Sequence, residues 1–119
     1  RLLEVLEKSP YETNEPVCSI FPQCGGCMYQ TMSYDEQIKM KSQQVKEILD
    51  AVVKDDYVFE GVKKSPKQFA YRNKMEFSFG DEYKDGPLSL GLHKKGSTYD
   101  VLTASDCKLV HEDMTKILN

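Results

Sequence analysis

Three cysteines, Cys18, Cys24 and Cys27, fall within the ten residues CSIFPQCGGC, and a fourth, Cys107, lies 79 intervening residues further on. Four thiolates make a complete donor set for a soft metal centre, since structural zinc and iron–sulfur clusters both use four cysteine ligands. Zinc is commonly held by two short CxxC knuckles, each giving two ligands. The spacing here, C-x5-C-x2-C plus a solitary distant cysteine, departs from that plan. It suits a loop that wraps a bulkier inorganic core and offers backbone N–H groups to its sulfides. Gly25 and Gly26 help such a loop, because no Cβ obstructs a close approach. A cluster, a zinc ion, unmetallated thiols and disulfides all remain open on spacing alone. Buried free cysteines fit least well, since a polar loop with Pro22 and two glycines offers little core to hide them.

The surrounding chain bounds the setting. At 119 residues it has room for one modest core. Its composition, 39% hydrophobic and 29% charged, is that of a globular protein rather than a disordered or fibrous one. No apolar run approaches the roughly 18 residues of a membrane span, and RLLEVLEKSP lacks the apolar stretch of a secretory leader. A cytoplasmic protein is therefore expected, and in a reducing compartment clustered thiols serve metals or catalysis more often than disulfides. Charge is uneven. Residues 1–60 carry a net −5, residues 61–96 a net +4 and the remainder −2. A basic block inside an acidic chain is either a solvated face or a docking surface for an anion.

The elements that must position these residues read as an α+β fold. RLLEVLEKSP is a scrap of strand or helix, and YETNEPV is a linker. Ser33 stands at an N-cap with Glu36 three residues on, the spacing of a capping box. Behind it Tyr34, Ile38, Val45, Ile48, Leu49 and Val52 form one helical stripe, which predicts a long amphipathic helix over 33–53. Then the period changes to two. In YRNKMEFSFG, Tyr71, Met75, Phe77 and Phe79 share one face, with Arg72, Lys74, Glu76 and Ser78 on the other. LSLGLH resumes alternation with Leu88, Leu90 and Leu92, so an antiparallel hairpin is expected across DEYKDGP. YVFEGVKK and TYDVLT are expected as further strands, and HEDMTKILN as a short helix. The expected architecture is a long helix packed on a small antiparallel sheet, with an N-terminal cysteine loop.

Taken together, C-x5-CGGC followed by MYQTMSYDEQIKMKSQQV, then YRNKMEFSF, LGLHKKGS and a late cysteine in SDCKL, resembles the RNA uracil-5-methyltransferase family. The resemblance runs over about residues 8–119. It implies an S-adenosylmethionine-dependent parent enzyme that makes 5-methyluridine in RNA, ribosomal rather than transfer RNA. Such a parent carries an N-terminal TRAM domain of OB type, a central domain with a 4Fe-4S cluster and a C-terminal methyltransferase domain. By this resemblance residues 1–12 are the tail of the TRAM domain and 13–110 the central domain. Residues 111–119 then open the connection to a catalytic domain outside this chain. It also implies Cys18, Cys24, Cys27 and Cys107 as cluster ligands, and an RNA-facing side bearing Arg72 and Lys74, which His93, Lys94 and Lys95 would extend. The shared strand face of Arg72 and Lys74 within the basic block independently suits phosphate contact.

Family chemistry further requires a cysteine nucleophile, a general base and a glycine-rich pocket for the methyl donor. All four cysteines are taken by the cluster motif and no GxGxxG turn is present, so the segment alone is expected to be inactive. Two alternatives come from other classes. A structural zinc module binding RNA or protein would share the cysteines, and a ferredoxin-type electron carrier would use the cluster for redox work. The long helix and the basic hairpin speak against the carrier.

Overall fold

The computed structural model describes residues 4–119. The first three residues of the expected TRAM tail therefore lie outside the described part, and residues 4–12 form neither helix nor strand. The chain divides into two compact units: Thr31–Pro66 together with the N-terminal stretch through Asn14, and Glu15–Gln30 together with Lys67–Asn119.

The first unit is built around helix α1, Tyr34–Val52. Ser33 has the extended backbone of an N-cap, and its Oγ accepts the Glu36 N–H at 3.3 Å. Asp35 and Glu36 place negative charge against the positive end of the helix dipole. The capping box is only half formed, because the Glu36 carboxylate takes Lys39 at 2.5 Å. None of the helix's residues is buried, and Ile48 and Val52 of the predicted stripe are about two-thirds exposed. The segment after the helix was expected to hold a strand at YVFEGVKK, yet residues 53–66 contain none. That segment is tied to the helix start by side chains instead. Lys64 reaches Asp35 at 2.5 Å, and the Ser65 N–H donates to the Tyr34 hydroxyl at 2.7 Å. A β-branched run becomes a strand only where a neighbouring strand takes up its backbone groups.

The second unit holds the antiparallel sheet: β1 Ser78–Asp81, β2 Leu88–His93 and β3 Val101–Thr103, in the order β1-β2-β3. Phe79 pairs with Leu90, and Leu92 pairs with Leu102. The hairpin lies where expected, turning at Asp85, whose φ of 62° is the left-handed conformation that Asp tolerates. Its first strand is shorter than the alternation suggested. Residues 71–77 lie outside the sheet except for a single bridge at Arg72. The expected leucine face also differs. Leu88 is 74% exposed, whereas Ser89 and Gly91 are buried on the opposite face. Glycine explains this, because a Cβ on Gly91 would stand 1.9 Å from the Leu102 carbonyl oxygen, and one on Gly80 would stand 2.7 Å from Val101 Cγ2. Two bare positions thus let β3 close down on its neighbours, with Val101 buried on that face and Leu102, paired with Leu92, buried on the other. Helix α2, Glu112–Leu118, follows as predicted, with His111 Nδ1 accepting the Asp113 N–H at 3.4 Å.

The α+β class therefore stands, with the helix and the sheet in separate units. Among the described residues, no helix is long and apolar enough to cross a membrane. Substituting Gly91→Ala should cost about 1–3 kcal/mol through forced displacement of β3, measured by urea denaturation. An unchanged midpoint and slope would contradict this close approach.

Candidate metal centre

The cysteine loop belongs to the sheet unit, and three sets of hydrogen bonds fix it. At its start, Gln30 Oε1 accepts the N–H groups of Val17 and Cys18, each at 3.2 Å. Within it, the Cys24 N–H donates to the Ile20 carbonyl at 3.0 Å. At its far side, the Gly25 N–H donates to the His93 carbonyl at 3.1 Å and the Lys95 N–H donates to the Gln23 carbonyl at 2.6 Å. Cys24 and Lys94 so form an antiparallel bridge just beyond the end of β2. The loop continues the pairing of the sheet, which carries Cys24 to 7% exposure.

Cys107 arrives from the other direction, in the turn after β3. The Ala104 N–H still reaches the Leu90 carbonyl at 3.3 Å, so the chain leaves the sheet just before the cysteine. The segment beyond it is clamped by residues 70–72. Ala70 donates to Lys108 at 2.8 Å, Arg72 donates to Leu109 at 2.9 Å, and the His111 N–H donates to the Arg72 carbonyl at 3.1 Å. Arg72 and Val110 form a parallel bridge, and Val110 is 2% exposed. Ala70 takes a left-handed φ of 52° to enter this clamp, a conformation that costs an alanine about 1–2 kcal/mol.

All four cysteines line one recess, together with Ile20, Phe21, Met75 and Leu92. None is in a disulfide. Burial pushes the Cys24 thiol above its ordinary range. The Gly26 N–H, 3.3 Å from Cys24 Sγ, pulls the other way, while the charges of Cys27, Cys18 and Cys107 add to the rise. That mutual repulsion is what gathering four thiolates entails, and a bound cation relieves it. The donors suit a soft metal centre in kind and number. They share the recess without converging on one point, for among the described residues no three His, Cys, Asp or Glu side chains are placed to hold a single ion.

The residues expected to face RNA lie in the same unit, at the edges of the two cysteine-bearing segments. Arg72 is exposed, with Nη1 3.5 Å from the sulfur of Met75, which lines the recess. Lys74 pairs with Glu76 at 3.2 Å, both more than 80% exposed. His93 Nε2 lies 3.1 Å from Ser78 Oγ, and the exposed Lys95 borders the cysteine loop through its backbone. Arg72 and Lys74 do not share a strand face, because no strand forms there. Three contributors escaped the sequence reading: Gln30 as anchor of the loop, Ala70 as part of the clamp and Met75 as recess wall. Gln30 lies three residues past Cys27, a position where a loop-closing side chain can be sought. Nothing local marks the other two.

Comparison with known proteins adds a second line. No family model matches the chain. The chain is 45% identical to an uncharacterized RNA methyltransferase of Caldanaerobacter subterraneus subsp. tengcongensis over 99% of its own length and 26% of that protein. It is 44% identical to one of Clostridium tetani (100% and 26%) and 34% identical to one of Chlorobaculum tepidum (100% and 27%). The chain is a relative of proteins named RNA methyltransferases. It spans about a quarter of their length.

In the metal-free chain, iodoacetamide should label Cys24 several-fold more slowly than the partly exposed Cys18 and Cys27, because the thiolate is the reactive form. The pH profile of Cys24 labelling should lie above that of an ordinary thiol, since burial shifts it upward. Peptide mapping by mass spectrometry gives both quantities. Labelling of Cys24 as fast as that of Cys27 would contradict the burial described.

Proposed function

We propose that this chain is the cluster-bearing, RNA-positioning segment of an S-adenosylmethionine-dependent RNA methyltransferase acting on C5 of uridine, in ribosomal rather than transfer RNA. The observation that carries the reading is the meeting of Cys18, Cys24, Cys27 and Cys107 in one recess, from two segments far apart in the chain. The likeness to proteins named RNA methyltransferases supports the transferase part. The methyl donor would be bound by parts of the parent outside this chain, and the segment alone would be inactive. Cytoplasmic action on RNA fits the reading.

Between a 4Fe-4S cluster and zinc, the cysteine spacing favours the cluster, because C-x5-C-x2-C with one distant cysteine departs from the two short CxxC knuckles common for zinc. When bound, the cluster would supply a rigid cross-link between the cysteine loop and the end of β3. The chain's own residues do the rest: Gln30 and the His93–Lys95 backbone hold the loop, the Gly26 N–H donates to sulfur, and the clamp at Ala70 and Arg72 holds the segment after Cys107. Arg72, Lys74, His93 and Lys95 offer donors to phosphate around that centre.

Protein purified without oxygen should contain about four irons and four acid-labile sulfides per chain, with broad absorption near 400 nm. One zinc and no sulfide would replace the cluster with a structural zinc module. Substituting Cys107→Ser should remove the long cross-link and lower stability by about 3–5 kcal/mol, by analogy with disulfides closing comparable loops. Thermal melting of the loaded proteins measures this, and an unchanged midpoint would sink the structural role. The methyltransferase part is tested on the parent protein. With its cluster intact it should transfer methyl groups from the donor to uridine in RNA, and no transfer to any ribosomal or transfer RNA would overturn it.

A further inference from the structure

Tyr99 carries the most exposed aromatic ring among the described residues, at 87%, and no part of the proposed centre uses it. It stands in the loop joining β2 to β3, where the backbone is firmly held. Ser97 Oγ accepts the N–H groups of Tyr99 at 3.3 Å and of Asp100 at 3.1 Å. The Lys94 N–H donates to the Asp100 carbonyl at 2.9 Å, the Ser97 N–H donates to the Lys94 carbonyl at 3.0 Å, and Gly96 makes the left-handed turn at φ 79°. A ring projecting from fixed backbone loses little freedom when it engages a flat ligand. The same loop carries Lys94 and Lys95, and neither has an ion-pair partner among the described residues. At its foot the loop is bonded to the cysteine loop through His93–Gly25 and Lys95–Gln23. An exposed ring on one loop with lysines that form no ion pair suits single-stranded nucleic acid, which is held without sequence preference when a base stacks and a cation takes the phosphate. A protein-docking patch would pair such a ring with neighbouring apolar side chains, whereas residues 94–98 of this loop are lysine, glycine, serine and threonine.

We propose that Tyr99 and Lys95 form a nucleotide-holding site, in which the Tyr99 ring stacks on an unpaired base of single-stranded RNA and Lys95 contacts an adjoining phosphate. This rests on the RNA reading above and deepens it by naming where an unpaired base is held. The site lies on the hairpin loop that abuts the cysteine loop, so an intact centre fixes its foot.

The test is anisotropy titration of the metal-loaded chain with a fluorescein-labelled oligouridylate about twelve nucleotides long, at several salt concentrations. Tyr99→Ala should weaken binding about tenfold, the worth of one stacked base, while Tyr99→Phe keeps affinity within about twofold because the π-face remains. Lys95→Ala should weaken binding and reduce the slope of log affinity against log salt by about 0.7, the release of one counterion from a single strand. Thermal melting should leave all three variants near the parent chain, since both side chains are exposed. If the parent chain binds and Tyr99→Ala binds equally well, this site is wrong while the RNA reading stands, and the ring then serves a protein contact. Absence of binding by the loaded parent chain would overturn both.

Discussion

Two backbone hydrogen bonds between the cysteine loop and the end of β2 govern the sheet unit. Gly25 to His93 and Lys95 to Gln23 extend an antiparallel ladder past the strand and into an otherwise irregular loop. A loop with Pro22 and two glycines offers only Ile20 and Phe21 as large apolar side chains, too few to fold on its own. Pairing with a strand end satisfies its backbone groups, which water would otherwise have to do. The same pairing sets Cys24 against the sheet, and with it the position of the recess.

The core shows why such a unit benefits from a cross-link. Among the described residues, the buried apolar side chains are Cys24, Val101, Leu102, Ala104, Cys107 and Val110. Two of these six are cysteines of the recess, so thiols form a third of a very small core. Small domains bury too little apolar surface to offset chain entropy comfortably, and metal centres are a common remedy. The clamp from Ala70 and Arg72 serves the same end from the other side, holding the segment beyond Cys107 where no strand can. Arg72 thereby has two tasks: its backbone belongs to the clamp, and its guanidinium is presented at the rim of the recess beside Met75.

Basic groups flank the segments that carry this centre, and Lys108 is among the residues lining the recess. Arg72 and Lys74 lie on the side of the clamp, and His93 and Lys95 on the side of the cysteine loop. Arg72 is bonded by its backbone to the segment after Cys107, and His93 and Lys95 by theirs to the cysteine loop. Joining those segments through one centre would set the spacing between the two pairs, which gives a structural cluster a direct bearing on how a phosphate chain is received.

The sequence by itself determined the elements whose causes are local. Helix Tyr34–Val52 was readable because Ser33 caps it and the acidic first turn suits its dipole, and the Asp85-Gly86 turn because few residues accept its backbone angles. The three clustered cysteines announced a ligand loop by proximity alone. The tertiary structure decided what depends on a partner. YRNKMEFSFG alternates like a strand from Tyr71, yet only Ser78–Asp81 finds a neighbouring strand, and Arg72 bridges to Val110 instead. YVFEGVKK has strand composition and no ladder to join. The leucines of β2 promised one buried face, yet Leu88 is exposed, and Gly80 and Gly91 let β3 bury Val101 on the opposite face. Cys107 reaches the other three only because β3 ends beside them. Local angles and caps are properties of a few residues, whereas strand pairing and the meeting of distant thiols are properties of segments that the order of residues along the chain leaves apart.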